Sequence, residues 1–530
     1  MSDTAPIWNF ARIWTELADV VPDRPAIVMG DRTTTYAAFS ERAHRLAAWL
    51  LDHGAAAGDA VALHCPNRPE YLEAFFAALL IGARPTNVNY RYVATEVAQV
   101  VRDADARVIL SGAEQGEIAR AAVALVSPPP LVLEVGAAYE AALAEHAVRA
   151  LPHTCTGDDL IYLYTGGTTG HPKGVMWRNE DLYLALWTSM RGTKAPTDPV
   201  YAIRNGLRAA TTLPACPLMH GTGLFGTLAA LAGGGTIVLV DTPKVDPVAI
   251  WDACAHNAVQ SLLIVGDAFA RPLVDALNDH PQRWDLSALR AIVSSGVTWS
   301  PQVKTALLDH LPHIRCIDSL GSSEGLLTRT ESAVGAAIIP AAFAVTPHLR
   351  VLRDDNTEAS IGEVGRLAVA GNVPVGYRND PEASASAFPT IDGVRYAVPG
   401  DLARRNADAT VTLLGRGSAC INTGGEKVFP EEVELVLRAH PEVLDAVVVG
   451  VPDARLGELV SAVIATHDAS VPASLDEWCR DHLAAYKVPR RYVARPDLER
   501  SAAGKVNLAQ LRELAAQSAH EPPADPSTLP

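Results

Sequence analysis

The chain has 530 residues, 48% of them hydrophobic and 20% charged. That is ordinary globular usage, and the length predicts several cores in more than one folding unit. A formal net charge of −16 argues against a surface that tracks a nucleic-acid backbone, though not against one small basic pocket for a nucleotide. The seven cysteines are scattered and include no Cys-x-x-Cys pair, which fits thiols in a reducing compartment and offers no zinc framework.

The first residues, MSDTAPIWNFARIW, lack a basic start followed by an apolar run, so no signal peptide is expected. Arg42 to His53 carries apolar residues at helical spacing. Asp59 to Cys65 reads as a buried strand, and Glu70 to Ile81 as another helix. Arg107 to Leu110 and Thr236 to Val240 are further strands, β-branched and set off by Gly or charged residues. The apolar stretch from Leu228 to Val240 is broken by Gly233, Gly234 and Gly235 and falls short of a membrane span, so a cytoplasmic location is expected. Helical and strand patterns alternate over the first 400 residues, without an internal repeat. That predicts an α/β fold with parallel sheets covered by helices.

The character changes near Leu414. A segment rich in Gly and small polar residues leads to a helix at Pro430 to Ala439 and a strand at Val443 to Val451. Helices follow near Leu475 to Ala485 and Asn507 to Ala516. This reads as a separate α+β module ending in a Pro-rich, frayed tail.

The most informative segment is LIYLYTGGTTGHPKGVMW, Leu160 to Trp177. A strand runs into Thr165, Gly166, Gly167, Thr168, Thr169 and Gly170, with Lys173 at the far end. Glycines let backbone N–H groups turn toward an anion, hydroxyls add donors and the lysine adds charge. It is not a Walker A loop, because His171 and Pro172 separate Gly170 from Lys173. Taken alone, such a loop is as often mere flexible surface; the preceding strand and the lysine weigh against that.

This segment resembles the phosphate-loop signature of the adenylate-forming superfamily: acyl-CoA synthetases, firefly luciferases and peptide-synthetase adenylation domains. Further matches follow in the family's order. Asp318 to Gly325 (DSLGSSEG) is similar to its aromatic-Gly-x-Thr-Glu element. The resemblance makes Ser319, Leu320, Gly321, Ser322 and Ser323 nucleotide contacts, with the Ser323 hydroxyl on the α-phosphate. It makes Glu324, with Thr165, the holder of Mg²⁺ and part of the catalytic set. Leu320 stands where the family usually has an aromatic on the adenine. Ser295 and Gly296 resemble the adenine-side loop. Gly400-Asp401 and Gly415-Arg416 resemble pairs that place Asp401 on the ribose hydroxyls and Arg416 on ribose or phosphate, although Pro399 replaces the usual Thr. Gly424 and Gly425 would line a passage for pantetheine. Lys427 would touch phosphate in one domain orientation, a solvated lysine being the equal alternative. Glu431, Glu432 and Glu434 suit the first turn of a helix and read as structural. Ser501 to Lys505 resembles the terminal Thr-x-x-Gly-Lys motif, so Lys505 would bridge the substrate carboxylate and the α-phosphate.

The implied fold is a large multi-subdomain N-terminal domain with parallel-rich sheets sandwiched by helices (1–415), a hinge (416–420), a small mobile α+β domain (421–520) and a flexible tail (521–530). The hinge itself falls at Ser418, where many relatives carry a charge. The implied activity is that of an acid:CoA ligase, using ATP, Mg²⁺ and coenzyme A and passing through an acyl-adenylate. Leu213 to Phe225 (LPACPLMHGTGLF) is similar to the segment that gates the acyl tunnel. His220 would be the gate, with Gly221, Gly223, Leu224 and Phe225 near it. These residues are apolar or small and no cation stands out for a second acidic group, so a hydrophobic monoacid is expected. The chain looks most like actinobacterial-type fatty or sterol-side-chain acyl-CoA synthetases. A homodimer is open to it; nucleic acid is not an expected partner. Competing readings are an enzyme that loads a carrier protein in trans, a luciferase-like oxidase and a non-catalytic nucleotide sensor.

Overall fold

The computed structural model describes residues 7–165, 172–191, 195, 198, 200–204, 206, 209–242, 245–296, 299–335, 342–423, 426–453, 455–501 and 504–517. Its strands form four sheets. The first has eight, in the order Gly325–Ser332, Arg315–Ser322, Ala291–Ser295, Ser261–Ile264, Thr212–Pro214, Ile237–Leu239, Pro25–Met29 and Arg32–Thr35. Only the pairs at its two ends are antiparallel. The second runs Gly376–Tyr377, Lys173–Arg178, Leu160–Thr165, Arg84–Asn87, Ala60–His64, Ala106–Ser111 and Leu131–Glu134, parallel from Leu160–Thr165 onward. Every residue of Ala60–His64 is buried, as a parallel strand covered on both faces requires.

One helix layer lies between these sheets. Pro69–Leu80 is buried all round, with Pro69 in the first turn where its missing N–H costs nothing. It shares a core with Phe10–Val20, Tyr36–Asp52 and Gly221–Ala232, in which Trp14 meets Phe39, Phe75 and Phe76. Helices Pro247–His256, Gly266–Asp279 and Pro301–His310 cover the outer face of the first sheet. Ala94–Ala104 and Gly116–Val123 cover the outer face of the second. Among the described residues no helix is long and apolar enough to cross a membrane.

The expected helix at Arg42 begins earlier, at Tyr36, because the Thr35 hydroxyl accepts from Ala38 N at 3.2 Å and caps it there. The helix at Leu475 stops at His482, where Leu483 turns extended. A larger departure lies at residues 342–416, where helix–strand alternation gives way to an antiparallel sheet including Leu349–Leu352, Val364–Ala370, Asp401–Arg405 and Thr410–Arg416. The cause is local. Asp392-Gly393, both at positive φ, joins Thr390–Ile391 to Val394–Ala397, the tight hairpin turn that Asp-Gly favours. The fourth sheet carries Ile421–Thr423, Glu426–Val428, Asp445–Asp453, Gly457–Ala465 and Arg491–Arg495. Helix Pro430–Arg438 packs on one face and Leu508–Gln517 on the other.

Asn9 pins the start of the chain to the second sheet. Its side-chain oxygen accepts from Ala11 N (2.9 Å) and caps helix Phe10–Val20, while its amide donates to Thr156 O (2.9 Å) and Asp159 Oδ2 (3.0 Å). Asn9→Ala removes a cap and leaves a buried end without partners; the expected loss is about 1–2 kcal/mol of stability, read from urea denaturation.

Candidate active site

The phosphate loop joins two antiparallel strands, Leu160–Thr165 and Lys173–Arg178, and Thr165 stands directly opposite Lys173. Both ends of the loop are therefore fixed by one ladder. Gly166, Gly167, Thr168, Thr169, Gly170 and His171 lie outside the described residues, as do Gly424 and Gly425, the side chain of Ser418 and the 521–530 tail. Lys173 Nζ is 3.2 Å from Asp380 Oδ2 and 5.1 Å above the Tyr377 ring.

Strands Arg315–Ser322 and Gly325–Ser332 form a hairpin with Ser322 opposite Gly325, which puts Ser323 and Glu324 at its tip. The Trp177 indole N–H donates to Ser323 O at 2.8 Å, tying this tip to the strand that follows the phosphate loop. Glu324 is buried, and the Tyr377 hydroxyl donates to its Oε1 at 2.9 Å. Burial and the Glu324 carboxylate push the Tyr377 phenol well up, so it stays a donor. Ser295 and Ser319 are neighbours on adjacent parallel strands. Gly296 has φ +94°, a conformation that demands glycine, and faces Thr222 and Val265. Leu320 is half-buried against a cluster containing Leu327 and Val369; Gly321 crosses to Leu326.

Asp401 and Arg416 face each other across an antiparallel pair, with Arg416 Nε 3.3 Å from Asp401 Oδ1. Burial pushes the Asp401 carboxyl up; Arg416 opposes that and Glu324 adds to it, so the two carboxyls feel each other. Lys505 comes from the far end of the chain. Arg500, paired to Asp445 at 2.6 Å, donates to Gly504 O at 2.7 Å, and Ser501 N donates to Lys505 O at 2.7 Å. That tight turn presents the lysine to the cluster. Lys505 keeps exposed surface, yet desolvation of its ammonium lowers the pKa, the Arg416 cation lowers it further, and Glu324 pulls the other way. His220 sits at the N-terminal end of helix Gly221–Ala232. Its imidazole is pushed down to about 4 by burial, with the cations of Lys505 and Arg91 adding, so it is neutral near pH 7.

The structure thus brings Glu324, Asp401, Arg416, Lys505 and His220 within electrostatic reach of one another, with Lys173 and Thr165 at the loop's root. Lys427 stays apart: it is exposed on Glu426–Val428, and its charge is felt at Cys420. Sequence reasoning missed Tyr377, Trp177, Asp380 and Arg91. Asp380 caps helix Pro381–Ala387 through Ala383 N, so a capping signal was present at Asp-Pro, but it marks a turn and not a site. Among the described residues, His153, Cys155 and Asp159 place possible metal-ligand atoms within 4.8 Å of one another. Asp159 already accepts from Asn9, His153 and Thr156, and burial pushes the Cys155 thiol up to about 12, so this trio reads as a structural tie.

Buried Glu324 at a hairpin tip, Asp401 paired with Arg416, and Lys505 from a turn off the fourth sheet are the arrangement that the adenylate-forming resemblance leads one to expect. The sequence model described as AMP-binding enzyme matches residues 14–377, and that described as AMP-binding enzyme C-terminal domain matches 432–505. A medium/long-chain-fatty-acid and 3-oxocholest-4-en-26-oate CoA ligase of Mycobacterium marinum is 38% identical, covering 95% of this chain and 96% of its own. A 3-oxocholest-4-en-26-oate CoA ligase of Rhodococcus rhodochrous is also 38% identical, covering 94% of each chain. The anthranilate CoA ligase AuaEII, solved with anthranoyl-AMP, shares the fold at a TM-score of 0.83 and 22% identity, over 97% of this chain and 99% of that one. The chain belongs to the AMP-binding enzyme family, within the adenylate-forming superfamily.

Glu431, read from sequence as a helix-start acid, has a second position of interest. It packs against Gly415, which has φ +100° and no room for a side chain there. One of its carboxyl oxygens is buried without a partner among the described residues. Burial, with Glu434 adding, pushes the carboxyl up from 4.5 to about 7. A raised carboxyl keeps its proton in the folded chain after the unfolded chain has lost it. Glu431 therefore costs stability progressively as pH rises from about 4.5 to about 7, and by a constant amount above that. Stability of the wild type relative to Glu431→Gln should fall across this window and then level, as read by urea denaturation in steps of pH; a flat difference contradicts the assignment.

Proposed function

We propose that this chain is an ATP-dependent acid:CoA ligase that acts on a hydrophobic monocarboxylic acid through an acyl-adenylate. The observation that carries the reading is the hold of Tyr377 and Trp177 on the Ser323–Glu324 tip beside Lys173, with Lys505 on a turn off the fourth sheet and its charge felt at His220. A cation that arrives from a separate sheet can neutralise charge in one step and be withdrawn for the next. The CoA ligase names of relatives that align along nearly the whole chain support the acceptor and the acid class.

In the first step a carboxylate oxygen attacks the α-phosphorus of ATP, and pyrophosphate leaves. In the second the CoA thiolate attacks the acyl carbon, and AMP leaves. Lys505 bridges the carboxylate and the α-phosphate, where negative charge gathers. Asp401 accepts from the ribose hydroxyls and Arg416 supports it. Ser295, Gly296, Ser319, Leu320 and Gly321 hold the base side; Ser322 and Ser323 sit at the α-phosphate, and Lys173 with loop 165–170 holds the outer phosphates. Glu324 has one oxygen engaged by Tyr377 and the other without a side-chain or backbone donor among the described residues. Glu324 with a hydroxyl such as that of Thr165 would hold a magnesium ion, whose charge would offset the repulsion between two anions.

His220, uncharged and at the head of a helix carrying buried Leu224 and Phe225, gates an apolar acyl site. Residues 1–415 and 421–520 form the large and small units of this reading, and 416–420 the hinge between them. Rotation there would carry Lys505 out and bring Gly424 and Gly425 to line the passage for the thiol arm, with Lys427 near phosphate in that orientation.

Lys505→Ala is expected to slow acid-dependent pyrophosphate release on the order of 10²–10³-fold, while thioester formation from supplied acyl-adenylate stays within a few-fold. Equal loss in both half-reactions removes the assigned role. Pyrophosphate release screened over acids of graded length and ring content, with CoA present, should favour apolar monoacids and be coupled to acyl-CoA; the same assay with a carrier protein in place of CoA should give no acylated carrier.

A further inference from the structure

Asn87 belongs to none of the roles above, yet its side chain joins two of the site's parts. It is the last residue of Arg84–Asn87, the parallel strand beside Leu160–Thr165, and it is buried. The backbone pairing with Leu160–Thr165 is registered at Thr86 and Tyr162, and the strand ends at Asn87; Val88 N continues the ladder on the other side, donating to Leu63 O. Tyr164, one residue before the phosphate loop begins its turn, would then lose its ladder partner. The Asn87 carboxamide takes that place. Its Oδ1 accepts from Tyr164 N at 2.5 Å and its Nδ2 donates to Tyr164 O at 2.9 Å, as a peptide group one step further along the strand would. The second Nδ2 hydrogen goes to Met219 O at 2.6 Å, the carbonyl just before His220. Both donors of the amide are used, so the group has one orientation.

We infer that Asn87 is a positioning residue that sets the distance between the phosphate-loop root at Thr165 and the acyl gate at His220. This rests on the adenylation reading, since only there must a carboxylate held at the gate meet a phosphate held at the loop. The joint is short and rigid, consisting of one planar amide between strand Leu160–Thr165 of the second sheet and the loop that follows Thr212–Pro214 of the first. Displacement of reacting groups by about 1 Å can cost on the order of 10²-fold in rate. Asn67 provides a contrast. It ties the same gate loop, through Pro214 O (3.3 Å), Cys216 O (3.0 Å) and Leu218 N (2.7 Å), but makes no bond to strand Leu160–Thr165 among the described residues.

The experiment compares both half-reactions in the full chain for wild type, Asn87→Ala, Asn87→Asp and Asn67→Ala, with melting curves to establish folding. Asn87→Ala is expected to lower kcat for acid-dependent pyrophosphate release about 10–100-fold, with thioester formation from supplied acyl-adenylate within about 3-fold of wild type and a smaller adenylation loss in Asn67→Ala. Asn87→Asp keeps the shape but has a donor only when protonated, so its adenylation rate relative to wild type should rise as pH falls. Should Asn87→Ala fail to fold, the aspartate's pH profile alone decides. Equal losses in both half-reactions, or an aspartate whose relative rate does not change with pH, overturn the inference. A wild type that releases no pyrophosphate with any acid overturns the adenylation reading and this inference with it.

Discussion

Like charges have to be held together in this protein. The Glu324 carboxylate raises the cost of ionising Asp401, and the Arg416 cation lowers the pKa of the Lys505 ammonium. The four come from separate pieces of scaffold: a hairpin tip on the first sheet, an antiparallel pair on the third, and a turn off the fourth. Rigid strands supply the work of keeping them in place, and the stored repulsion makes the site receptive to a ligand that brings opposite charges.

Neutral groups do much of the alignment. Trp177 and Tyr377 give hydrogen bonds to the Ser323–Glu324 tip from two strands adjacent in the second sheet. Asn87 and Asn67 hold the His220 loop through main-chain atoms. All four are amides, indole or phenol, which hold geometry without adding charge to a place already crowded with it. The neutral state of His220 follows from the same economy, since burial and two nearby cations exclude a third positive charge.

Lys505 is the member that is least anchored. It hangs from a turn stabilised by Arg500, Asp445 and Ser501 within the fourth sheet's own structure. Its partners in the site act on it across space, and no ion pair within 4.0 Å fixes it among the described residues. A cation placed this way can move without breaking a salt bridge.

Sequence alone determined much of this. Hydrophobic patterning located the strands at Asp59, Arg107 and Leu160 and the helices at Glu70 and Pro430, because buried periodicity is a local property. Motif order singled out Lys173, Glu324, Asp401, Arg416 and Lys505 as candidates, because a charge beside a given turn can be read in the chain at fixed spacing. Local patterning failed at residues 342–416, where short strands look alike whether they pair in parallel or antiparallel fashion and only the hairpin turns decide. Tertiary structure alone decided that Tyr377 donates to Glu324, that Asn87 replaces a missing ladder partner, and that Glu431, an unremarkable helix-start acid, is buried against Gly415. Each of these depends on which distant group lies against a polar side chain: a carboxylate for Tyr377, main-chain atoms for Asn87, a glycine for Glu431. No periodicity or composition encodes that contact, since it is set by how whole sheets pack.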